Sequence, residues 1–98
     1  MKTFILLYDG PPTPPDATHE GWPEWFRSLG DKLVDTGSPM TAGFAVGAAA
    51  DRASTLNGYS LIRAEDQDEA RELVQSHPFL GGGSAYTVQV FEVPAKSG

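Results

Sequence analysis

The sequence predicts an α+β domain in which four antiparallel strands carry two helices on one face. Three observations predict it. Short apolar runs of strand length stand near both ends of the chain, at residues 2–8 and 86–93, and a third alternating run lies at 59–64. Between them lie two stretches with helical spacing, opened by Pro23 and by the acidic run 65–68. The resulting order, strand, helix, strand, strand, helix, strand, is one strand-helix-strand unit used twice, which is the ferredoxin-like βαββαβ arrangement.

Residues 2–8 place Phe4, Leu6 and Tyr8 on one side and Ile5 and Leu7 on the other, so both sides of this strand ask for cover. Asp9-Gly10 and the prolines of 11–15 then force an extended, stiff connection. The first helix starts at Pro23. Trp22, Phe26, Leu29 and Leu33 form its apolar stripe, Trp25 stands beside the stripe, and Gly37 is its expected left-handed end. A strand is expected over 41–46, with Phe44 and Val46 on one side, followed by a small-residue connection over 47–56.

The stretch 57–80 is the most legible. Tyr59, Leu61 and Arg63 alternate with Ser60, Ile62 and Ala64, and the alternation breaks at the acidic run. Asp66 with Glu69 three residues on is a capping box, and acidic residues suit the positive end of a helix. Ala70, Leu73, Val74 and His77 share one helix face, and Pro78 stops the helix. Gly81, Gly82 and Gly83 read as a flexible exit, because the Lys and Ser or Thr of a phosphate loop are missing. Residues 86–93 form the last strand, with Val88 and Val90 opposed to Gln89, Phe91 and Val93.

A chain of 98 residues with net charge -6 is one small acidic domain, expected to run over 1–94 with a flexible tail at 95–98. The charge disfavours nucleic acid and anionic membrane surfaces, which need clustered Lys and Arg. The absence of cysteine removes disulfides, thiol nucleophiles and Cys-ligated metals, and the stretch MKTFILLYDG lacks the long apolar run and small-residue cleavage site of a signal peptide, so a cytoplasmic location is expected. Two isolated histidines offer no metal-ligand spacing, so the residues give no support for a metal site. Two helices cover one face of a sheet whose outer strands are apolar on both sides; the open face is therefore expected to pair with a second copy of the chain, giving a homodimer.

FILLYDG near the start, W-x-x-W-F in the first helix, NGYSLIRAEDQDEA, and SHPFL before a last strand ending in VFEV together resemble the YCII-related (YciI-like) family, over 2–93. The resemblance implies a dimeric α+β barrel made from two ferredoxin-like sheets packed face to face. It also implies a cofactor-independent enzyme of lyase or dehydrochlorinase type acting on a small, aromatic molecule through a His and Asp pair. Many such chains carry the His near the start of the first helix and the Asp before the Pro that follows the second. Here Trp25 or Phe26 occupies the former region and His77 the latter, so a pair would have to be rebuilt from His77 and another carboxylate, with Asp9 the first candidate.

In the expected topology Asp9, the start of the first helix with His19, Trp22 and Trp25, the connection with Arg52, and the turn from His77 to Gly83 meet at one rim. His77 is the candidate general acid or base, Asp9 the group that orients it, and Tyr8, Trp22, Trp25, Arg52 and Phe79 the candidate walls for a planar small molecule. A carboxylate partner would raise the His77 pKa above its ordinary 6.5 or so. Each candidate also has a plainer reading. His77 is equally a helix cap packed in the core, Asp9-Gly10 a common turn, His19 an exposed loop residue and Trp22 a core residue, while Trp25, off the stripe, has the better claim to a pocket wall. The alternative function is a non-catalytic small-ligand-binding or regulatory module. A metal-free monooxygenase of the same barrel architecture is a third reading, by fold analogy.

Overall fold

The computed structural model of the chain describes residues 1–10, 21–40, 43–47, 56–82 and 85–94. Strand β1 (Lys2–Asp9) is followed by helix α1 (Trp22–Leu29), a 3-10 turn (Gly30–Lys32) and strand β2 (Leu33–Pro39). Strand β3 (Leu56–Ala64), helix α2 (Gln67–Gln75), a second 3-10 turn (Pro78–Gly82) and strand β4 (Thr87–Val93) complete the fold. The sheet order is β2-β3-β1-β4 and every neighbouring pair is antiparallel, so β1 and β3 are central and the ferredoxin-like arrangement is as expected.

Alternation decides what each strand buries. Phe4, Leu6 and Tyr8 of β1 and Ser60, Ile62 and Ala64 of β3 face the helices and are buried. Trp25 and Leu29 of α1 and Ala70 and Val74 of α2 join the same core, which puts both helices on one sheet face. The other face carries Ile5, Leu7, Tyr59 and Leu61, all half-buried, with Phe91 and Val93 exposed on the β4 edge.

α2 begins where its capping residues say it should: Asp66 Oδ1 accepts the Glu69 N–H at 2.9 Å. The reciprocal half of the box lands one residue earlier, Glu69 Oε1 accepting the Glu65 N–H at 3.1 Å. Glu69 also meets Lys32 at 3.3 Å, tying the turn after α1 to α2.

The first helix and the second strand depart from expectation. α1 stops at Leu29 because Gly30, at φ 57°, turns the chain and returns its N–H to the Arg27 carbonyl. Leu33, expected as the last helical stripe residue, instead opens β2 and pairs with Ile62. Gly37 has the expected positive φ, 79°, but it sits inside β2, not at a helix end. It forms an irregularity in the pairing with β3, its N–H bonded to Asp35 Oδ1, and a Cβ there would collide with the Tyr59 carbonyl. The strand expected over 41–46 is not formed by its described residues: 43–47 pair with nothing in the sheet, and Phe44 and Val46 are 93% and 89% exposed.

Candidate functional site

His77 emerges from the end of α2 with its backbone fixed on both sides. Its N–H goes to the Val74 carbonyl and its own carbonyl takes the Leu80 N–H. The ring is driven into the core and is 2% exposed. Nδ1 accepts the Phe79 N–H at 3.0 Å, and Nε2 lies 2.8 Å from the Tyr8 hydroxyl. That hydroxyl is 2.7 Å from Ser60 Oγ, which in turn is 2.7 Å from the Thr36 carbonyl oxygen.

The two ends of this chain fix the direction of every bond in it. A backbone N–H only donates, so Nδ1 carries no proton and a neutral ring carries it on Nε2. A carbonyl only accepts, so Ser60 donates to Thr36, Tyr8 donates to Ser60, and His77 Nε2–H donates to Tyr8. The relay therefore crosses the fold from the end of α2 through β1 and β3 to β2, with every donor satisfied.

Aromatic rings close over it. The His77 ring centre lies 4.1 Å from that of Trp25, 4.7 Å from Trp22 and 4.9 Å from Tyr8, and Tyr8 also meets Trp22 and Phe79. Trp25 is pinned by its indole N–H to the Leu73 carbonyl and Ser76 Oγ. The Trp22 indole N–H is buried and has no hydrogen-bond partner among the described residues. The roles expected of the two tryptophans are thus exchanged: Trp25 is the core residue and Trp22 is half-buried, because α1 buries the Trp25 and Leu29 face.

In these surroundings both titratable groups resist charge. Burial pushes the His77 pKa down to about 4, and burial pushes Tyr8 up to about 12 against the opposing effect of the Ser60 hydrogen bond. The expected upward shift of His77 is therefore reversed, since the ring has a phenol for a partner and not a carboxylate. Asp9 follows Tyr8 in β1, so its side chain leaves on the opposite sheet face, where Oδ2 accepts from Gln89 Nε2 at 2.8 Å. His77 and Asp9 are not the pair expected from the sequence; Tyr8 takes the place given to Asp9.

Of the expected wall residues, Tyr8, Trp22, Trp25 and Phe79 do gather around His77. Arg52 and His19 lie outside the described residues, as does Gly83, while Gly81 and Gly82 belong to the second 3-10 turn. Ser60 and the Thr36 carbonyl were not anticipated. A serine on the inward side of a strand between apolar neighbours was the available signal, because a buried hydroxyl needs a partner. Among the described residues no three His, Asp or Glu side chains gather as a metal site, and no helix is long and apolar enough to cross a membrane.

A separate cavity of about 350 Å³ opens between α2 and β4. Phe4, Ala70, Val74, Leu80, Val88 and Val90 form its apolar lining, with Arg71 and Glu92 also on its wall. Neither His77 nor Tyr8 is among its described lining residues.

A family model described as YCII-related domain matches residues 1–94. Among solved structures, the chain is similar to 5-chloro-2-hydroxyhydroquinone dehydrochlorinase from Burkholderia phenoliruptrix AC1100, in complex with 2,5-dihydroxybenzoquinone. The TM-score is 0.60 at 18% identity, covering 98% of this chain and 95% of that one, a likeness of fold. No curated protein matches the sequence at a significant level.

Proposed function

Because the chain belongs to the YCII-related family, we propose that it is a cofactor-independent enzyme that moves protons on a small, planar molecule, as a lyase or dehydrochlorinase does. The observation that carries this reading is the His77–Tyr8 pair, an imidazole and a phenol joined at 2.8 Å inside an aromatic enclosure. The similarity in fold to a dehydrochlorinase of a hydroxylated ring supports the same class of substrate. At neutral pH the imidazole is uncharged, and it becomes a base toward a substrate hydroxyl only when that hydroxyl replaces the Phe79 N–H at Nδ1. The proton taken up there is returned to the ring carbon that bears the leaving group, giving the keto form, and removal of a second hydroxyl proton then expels the anion, for a net loss of one proton and one anion. Tyr8, accepting from Nε2–H, holds the ring in place, and the Trp22 indole N–H, without a partner among the described residues, offers a donor to a substrate oxygen. Asp9, held by Gln89 on the other face of β1, takes no part in this pair.

The same reading makes the protein a cytoplasmic homodimer joined through the open sheet face, where Phe91 is 53% exposed. Its test is chloride release from a panel of chlorinated hydroquinones. Tyr8→Phe and His77→Asn should each lower kcat by about 10²-fold or more. Turnover that survives Tyr8→Phe in a folded protein would remove the pair from catalysis.

The cavity between α2 and β4 favours a second reading, a non-catalytic ligand-binding module, because its apolar lining is separate from the His77–Tyr8 pair. A ligand that raises the melting temperature of the wild type and of Tyr8→Phe, but not of Val90→Trp, would support the module over the enzyme.

A further inference from the structure

Besides Met1, Val34 and Met40, the exposed large apolar side chains of the described residues fall into two pairs. Phe91 and Val93 lie on the open sheet face at the β4 edge, and Phe44 and Val46 lie in the connection that leaves β2. The second pair is far more exposed than the first, at 93% and 89% against 53% and 42%. Phe44 and Val46 alternate around Ala45, so in an extended chain they point the same way, which is the pattern of a strand that lacks a neighbour. Gly43 and Gly47 flank them, and Gly47, at φ 132°, turns the chain as few other residues would.

Resting on the homodimer reading above, we propose that residues 43–47 are an arm by which each copy clasps the other, Phe44 and Val46 packing on the open sheet face of the second copy. A second copy is the fitting occupant for two reasons. The arm leaves β2, an edge strand of the sheet whose uncovered face already needs an apolar partner, so arm and face supply each other's missing surface. Neither Lys nor Arg stands within 43–47 and the whole chain carries a charge of -6, which sets this segment apart from membrane-seeking loops.

The chain has no cysteine, so an introduced thiol reports alone. In Phe44→Cys, alkylation should be slowed at least about tenfold in the dimer compared with the same variant carrying Phe91→Arg, or diluted until it dissociates. Glu72→Cys, on the exposed side of α2, should react at one rate throughout. Phe44→Ser with Val46→Ser should weaken dimerisation by about tenfold or more, leaving the circular dichroism of the monomer unchanged. A dimer in which Cys-substituted position 44 reacts as fast as in the monomer overturns the arm and leaves the dimer standing. A wild type that scatters light as a monomer at high micromolar concentration overturns both. Phe44-dependent sedimentation with phosphatidylglycerol vesicles would give the arm to a membrane and overturn the proposal as well.

Discussion

Tyr8 and Asp9 are neighbours in sequence, yet the sheet separates them and gives their polar atoms opposite conditions. On the helix side Tyr8, Ser60 and His77 are at most 2% exposed, their hydrogen bonds form one closed relay, and burial drives both titratable groups toward neutrality. On the open side Asp9 is half-buried and its carboxylate accepts from the Gln89 amide. A strand reverses its side-chain direction at every residue, so a motif of two adjacent polar residues describes two different environments.

The sharpest way to break this contrast is to remove one polar group from each side. His77→Ala leaves the Phe79 N–H and the Tyr8 hydroxyl without their buried partners and opens a void, so it should cost about 3 kcal/mol. Asp9→Asn keeps an oxygen for Gln89 and should change stability by no more than about 0.5 kcal/mol. Chemical denaturation of both variants measures the difference; equal losses would mean that the faces are energetically alike.

Acid sharpens it next. The folded pKa of His77, about 4, lies below the ordinary 6.5, so between those values the unfolded chain binds the extra proton. The contribution is whole above about pH 6.5, falls with falling pH, and is spent below about pH 4, an upper bound of about 3 kcal/mol. Urea midpoints at about pH 7 and about pH 4.5 should therefore lie closer together in His77→Asn than in the wild type. An unchanged separation would show that His77 is already charged in the folded protein. A smaller loss than that of His77 lies away from both faces. Asp66→Ala removes the acceptor of the Glu69 N–H and should cost about 1 kcal/mol, leaving the relay intact; a change near zero would show that the cap is dispensable.

What the sequence made legible follows the same division. β1, β3, β4 and α2 could be read because their signals do not compete: strict alternation in Tyr59 to Ala64, then a cap at Asp66 and a proline after the last turn. The α1–β2 region could not, since Leu33 fits a helical stripe with Trp22, Phe26 and Leu29 and also begins a strand. Gly30 and the β-branched Val34 and Thr36 were the signals that favoured the shorter helix. His77 was legible as a buried residue at a helix end, and the aromatic residues around it were legible as a group. Its partner was not, because topology brings Asp9 and Tyr8 to the same end of the sheet and only side-chain direction chooses between them. The polarity of the relay was further out of reach, being set by two backbone groups, the Phe79 N–H and the Thr36 carbonyl.

That relay also has a place in time. Its links join residues 69, 52 and 24 positions apart, so it is complete only when β2 has found β3, β1 has found β3 and the end of α2 has docked on the sheet. We expect its completion to fall late in folding, after the transition state. Its energy then weighs on the rate at which the native protein opens and hardly at all on the rate at which it forms, which the two arms of a denaturant chevron separate. The buried hydroxyls and imidazole act as a late latch, setting how long the assembled fold persists.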